Sequence, residues 1–73
     1  MGKAIYSDDH KYMVEQLKKA RKDVGLDQTS AAKLLGRTQS YVSKVESGQR
    51  QIDIVELKQF ARIYKKGLDY FLR

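Results

Sequence analysis

The sequence predicts an all-α fold, a compact domain of five short helices. Three observations carry this. The 73 residues contain no proline, no stretch alternates apolar and polar residues at the period of a strand, and Gly25, Gly36, Gly48 and Gly67 punctuate the chain where helices would end. Residues 1–6 (MGKAIY) precede the first helical signal and read as an N-terminal arm, leaving 7–73 as the domain.

The first helix is expected to start at Ser7 or Asp8, whose side-chain oxygens can cap free backbone N–H groups, with Asp8 and Asp9 matching the positive end of the helix dipole. Met13, Leu17, Ala20 and Val24 then draw one apolar stripe, and Gly25 stops the helix. Lys18, Lys19 and Lys22 lie off the stripe and read as a solvated face, and His10 as an exposed first-turn residue. Asp27 caps a second helix running from Gln28 to Leu35, with Gly36 closing it. Being so short, it must be held by packing. The third runs from Thr38 to Glu46 or Ser47 and is closed by Gly48. Val42 and Val45 face inward, and Gln39, Ser40, Ser43 and Lys44 face away. A fourth begins at Asp53 with Ile54, Leu57, Phe60, Ala61 and Tyr64 as its apolar face. A last turn or helix spans Leu68 to Leu72. There Tyr70, Phe71 and Leu72 gather apolar surface that either closes the core or forms a dimer interface.

Composition removes several function classes. Without cysteine there is neither a disulfide framework nor a thiolate metal site, and a single histidine cannot build a metal cluster, so no metal and no cofactor are expected. No apolar run approaches the roughly 18 residues of a membrane span. The N-terminus lacks a secretory stretch, so a cytoplasmic protein with no membrane partner is expected. No nucleophile, base and oxyanion donor come together in the sequence, which points away from an enzyme. The net charge is +6, with fifteen Lys and Arg against nine Asp and Glu. It divides evenly: six bases and four acids over 1–26, four and two over 27–50, five and three over 51–73. Basicity therefore admits a polyanionic partner without locating a binding face.

The second and third helices, joined by Gly36-Arg37-Thr38, make a helix-turn-helix. Ala32 supplies the small residue that a close helix crossing needs. Gly36 supplies the tolerance of positive φ at the turn, and Val42 with Val45 supplies the face pressed onto the preceding helix. With Gly25-Leu26-Asp27-Gln28, Leu35-Gly36, Thr38-Gln39, Val45-Glu46-Ser47-Gly48 and Leu68-Asp69-Tyr70-Phe71-Leu72 in register, the chain from about residue 12 to 72 resembles the phage repressor/Cro-type (XRE-like, lambda repressor-like) helix-turn-helix domains.

That resemblance implies a third helix lying in the major groove of double-stranded DNA, as in helix-turn-helix repressors generally. Gln39, Ser40 and Lys44 match the base-reading positions, with Thr38, Tyr41 and Ser43 beside them; Gln suits adenine and Lys suits guanine. Gln28, Arg37, Ser47, Gln49 and Arg50 match or adjoin positions that hold backbone phosphates. Arg21 and Glu46 match a buried structural ion pair. The departures are Arg37 in place of an apolar residue, Ala31 in place of a leucine, Leu34 at a position often polar, Asp27 as a charged cap, and a Tyr41 large enough to reach sugar or a thymine methyl. The expectation is a transcriptional regulator, a repressor binding a palindromic operator as a homodimer. The alternative is an antitoxin-like module in which Leu34, Tyr70 and Phe71 contact a small protein partner.

Overall fold

Each of the four helix starts carries the cap that its sequence offers, and this fixes where the elements lie. The computed structural model describes residues 7–73; the expected arm, residues 1–6, lies outside them. Four α-helices, α1 (Asp8–Asp23), α2 (Gln28–Leu35), α3 (Gln39–Glu46) and α4 (Ile54–Tyr64), are followed by a 3₁₀ turn over Leu68–Phe71. Ser7, Asp27 and Thr38 accept the backbone N–H three residues on, at 3.1, 2.7 and 3.1 Å. Asp53 and Glu56 make a reciprocal capping box at the head of α4. Each such cap contributes about 1 kcal/mol.

All four helices end the same way, with the next two N–H groups folding back onto carbonyls of the last turn. At Gly36, φ is +71°, and the N–H groups of Gly36 and Arg37 reach the carbonyls of Lys33 and Ala32. This turns the chain directly from α2 into α3. The close of α4 departs from the sequence reading: Lys65, not Gly67, takes the left-handed conformation at φ +60°.

All the elements meet in one core. α2 packs on α3 and α4, while α1 crosses α3 and α4 and receives the terminal turn. Leu17, Val42, Val45, Phe60, Tyr64 and Phe71 are its largest enclosed side chains. Val14 supplies a buried contact on α1, where Met13 and Val24 only border the core.

Three expectations are corrected. The fifth helix is a single 3₁₀ turn, because four residues close only i→i+3 bonds, such as Tyr70 N–H to the Gly67 carbonyl. Ile54, expected in the core, is 55% exposed. It is the first residue of α4, and its side chain leans back toward the helix start. Phe71, counted among the interface candidates, is fully buried, and only Tyr70, partly, and Leu72 remain at the surface. Leu34 points outward, 60% exposed. Among the described residues no helix is long and apolar enough to cross a membrane.

Candidate nucleic-acid interface

The helix-turn-helix geometry exposes one face of α3 and gives it two distinct edges. With about 100° between successive residues, Val42 and Val45 point into the core, while Gln39, Ser40, Ser43 and Lys44 point away. Gln39, Ser40 and Lys44 are exposed and Ser43 is half-buried. Thr38 is also exposed, its hydroxyl oxygen occupied as the cap of α3.

One edge adjoins the start of α2. Gln39 Nε2 donates to Gln28 Oε1 at 2.6 Å, and Gln28 Nε2 donates to Glu46 Oε1 at 3.0 Å. Glu46 is 4% exposed and takes a two-pronged bond from Arg21, with Nε at 2.7 Å and Nη2 at 3.0 Å. Arg21 also donates to the Leu26 carbonyl. Its own pKa is raised, first by the bond to Glu46. The exposed Gln39 amide is thereby fastened through one side chain, Gln28, to a buried ion pair. Ser30 N–H is taken by Asp27, whose carboxyl that bond holds below the usual range, but the N–H groups of Gln28 and Thr29 have no acceptor among the described residues. They leave a dipole-favoured seat for an anion.

The other edge adjoins the start of α4, and here the sequence reading of Tyr41 is corrected. Its ring is buried and stacks on Phe60 with centroids 6.0 Å apart. It points away from the exposed face of α3 because its place on the wheel faces α4. Its hydroxyl donates to Glu56 at 3.0 Å, and burial, then that bond, push its pKa up to about 12. Arg37 and Arg50 also pair with Glu56 and lie against the Tyr41 ring. Glu56 went unread in the sequence. The signal that finds it is Asp53-x-x-Glu56, the capping-box spacing at the start of an apolar run. Ser47 donates its hydroxyl to the Lys44 carbonyl, and Gln49 is exposed.

Burial alone pushes the Glu56 carboxyl up. The Asp53 N–H, the Tyr41 hydroxyl and Arg50 more than reverse this and leave its pKa below the ordinary 4.5. A carboxyl lowered by folding contributes stability that is present above its unfolded pKa and is lost as the pH falls through the folded one. Thermal melts are therefore expected to drop as the pH falls from about 5 toward 3, and Glu56→Gln to flatten part of that limb. Acid limbs of equal steepness in the two proteins would show that Glu56 carries none of it.

Among known proteins, the helix-turn-helix family model matches residues 17–71. The restriction-modification controller protein C.AhdI from Aeromonas hydrophila has a similar structure, with a TM-score of 0.81 and 29% identity over 90% of this chain and 100% of that one. Hydroxypropylphosphonic acid epoxidase from S. wedmorenis also matches, with a TM-score of 0.77 and 26% identity over 84% of this chain. Only 32% of the epoxidase is covered, so the chain spans about a third of that enzyme's length. No curated protein sequence matches the chain. The family match extends from the middle of α1 through the terminal turn, and a controller protein shares the architecture over 90% of the chain: the chain belongs to the helix-turn-helix family of repressor/Cro-type DNA-binding domains.

Proposed function

We propose that this chain is a sequence-specific, double-stranded DNA-binding transcriptional regulator that represses a promoter by occupying a palindromic operator as a homodimer. The observation that carries the reading is the exposed α3 face with anion-seeking groups along both edges: Gln28 and the free N–H groups of α2 on one, Arg37 and Arg50 on the other. Gln39, Ser40 and Lys44 read base edges in the major groove, with Thr38 and Ser43 beside them. Ser47 and Gln49 join the phosphate contacts. Residues 7–73 form the binding domain and 1–6 an arm. Two copies would place their α3 helices one turn of DNA apart, about 34 Å. Among the described residues, Leu34, Ile54, Val55 and Leu72 are large apolar side chains left open for self-association. Repression follows from occupancy in the cytoplasm and needs no bond-making chemistry, cofactor or metal. The controller function named for the Aeromonas hydrophila protein agrees with a regulator of this kind.

The test is selection of bound sequences from a random duplex pool at about 150 mM salt, where phosphate attraction alone no longer dominates. An enriched inverted repeat with half-sites one turn apart is expected. With that operator, Lys44→Ala is expected to cost about 1–3 kcal/mol and to relax preference at one position, whereas Arg50→Ala weakens all sequences alike and lowers the salt slope by about one. Equal losses on operator and random DNA for both variants would overturn this division of labour. Absence of enrichment would favour a protein-binding module, for which exposed Leu34, beside the groove between α2 and α4, is the specific anchor.

A further inference from the structure

Arg37 lies in the turn before α3 and Arg50 in the loop after it, yet their guanidinium groups converge on one atom. Oε2 of Glu56 takes Arg37 Nη2 at 3.2 Å and Arg50 Nη1 at 3.1 Å. The Tyr41 hydroxyl donates to the same oxygen at 3.0 Å, and both guanidinium carbons lie within 5 Å of the Tyr41 ring centroid, at 4.3 and 4.8 Å. The other carboxylate oxygen is held by the backbone N–H of Asp53 at 3.0 Å. Backbone therefore fixes the carboxylate, and the carboxylate with the ring fixes both arginines.

Ordinary surface arginines do not behave this way. Two guanidinium groups so near each other repel, and each loses rotamer freedom when held in one geometry. Here one carboxylate sits between them, and the cluster keeps a net charge of +1. The side chains remain 39% and 40% exposed. Arg37 commits one nitrogen to Glu56, and Arg50 commits one that it shares with the Gln51 carbonyl. Their other nitrogens have no acceptor among the described residues, so each keeps donors for an anion. The position adds to this. A helix in the major groove lies between two phosphate strands, so each edge of its exposed face needs a phosphate-binding group. Gln28 and the start of α2 serve the edge near Gln39, and the arginine pair is the cationic group on the Tyr41 edge.

We propose that Glu56, with the Tyr41 hydroxyl, is a positioning residue that holds Arg37 and Arg50 as a preformed clamp for DNA phosphates along the α4 edge of α3. The inference rests on the DNA-binding reading above and adds to it a carboxylate that aids an anion's binding. A simple charge account gives the opposite sign: an acid near phosphates weakens binding, and its removal strengthens it.

The experiment measures affinity for a 20-base-pair duplex of mixed sequence across a salt series, since the clamp acts on phosphates whatever the bases. Glu56→Gln keeps a side chain able to complete the capping box. It raises the net charge by one, yet it is expected to bind about five-fold more weakly at about 150 mM salt, with a shallower dependence on salt. The double variant Arg37→Lys/Arg50→Lys keeps the charge and loses the forked geometry. It is expected to bind about three-fold more weakly, while its melting temperature stays near that of the parent. Should Glu56→Gln melt below the assay temperature, the lysine pair decides. Equal or tighter binding by Glu56→Gln, or parental binding by the lysine pair, overturns the clamp and leaves DNA binding standing. A parent protein that binds no duplex overturns the DNA-binding reading itself, and the clamp falls with it.

Discussion

Glu46→Ala is expected to unfold the domain, with a loss of ~3–5 kcal/mol. A domain of this length has a core that supplies little more than ~3–5 kcal/mol in all, so the loss is of the order of its whole stability. Glu46 receives Arg21 in two bonds and Gln28 in a third. Its removal leaves the Arg21 guanidinium, 11% exposed, without its counter-charge. The buried pair itself adds little net stability, because desolvation offsets its attraction; the cost comes from breaking one half of it. The surface pairs offer the contrast. Lys18 with Glu15, and Arg73 with Asp9, are open to water and contribute at most about 1 kcal/mol each. A circular-dichroism melt of Glu46→Ala beside Lys18→Ala checks the claim. An unchanged transition for Glu46→Ala would mean that Arg21 is solvated in place. The same carboxylate also anchors Gln28, and through it Gln39, so a milder Glu46→Gln that stays folded is expected to loosen base reading at the α2 edge.

Local signals fixed most of the fold in advance. Caps at Ser7, Asp27, Thr38 and Asp53 and glycines after α1, α2 and α3 are decided within a few residues, so helix limits were legible to about one position. Lys65 was not legible, because a left-handed lysine carries no local mark and Gly67 nearby offered a false one. Ile54 has the right spacing for the core stripe of α4, but spacing does not say where the neighbouring helices stop. The exposed face of α3 was legible from its wheel, whereas its edges were not. Which side of the helix meets α4 is a tertiary fact, and it sends Tyr41 inward to Phe60 and Glu56. The Glu56 cluster joins residues 6 to 19 positions apart in the chain, beyond the reach of any helical period.

Phe71→Ala is expected to cost ~3–5 kcal/mol through the cavity it leaves, and Leu72→Ala, one residue on, no more than about 0.5 kcal/mol. The difference follows from place rather than from size. Phe71 is wholly enclosed, with Tyr70 edge-on at 5.2 Å, while Leu72 is 49% exposed. The turn that carries Phe71 packs on α1 and α4, and Gln16 Nε2 donates to the Tyr70 carbonyl at 3.2 Å, so the terminal turn closes the core from below α1. An interface role for Phe71 makes a different prediction, because an interface residue acts only through association. Denaturant unfolding at two protein concentrations a hundred-fold apart separates the cases. A core role lowers the midpoint of Phe71→Ala by a similar amount at both. An interface role leaves the dilute protein as stable as the parent and shows its loss only where the parent is associated. Tyr70 and Leu72 are still exposed enough to meet a second copy, so Leu72→Ala with a normal midpoint but a smaller sedimenting species would place self-association at this end, built on a phenylalanine that belongs to the core.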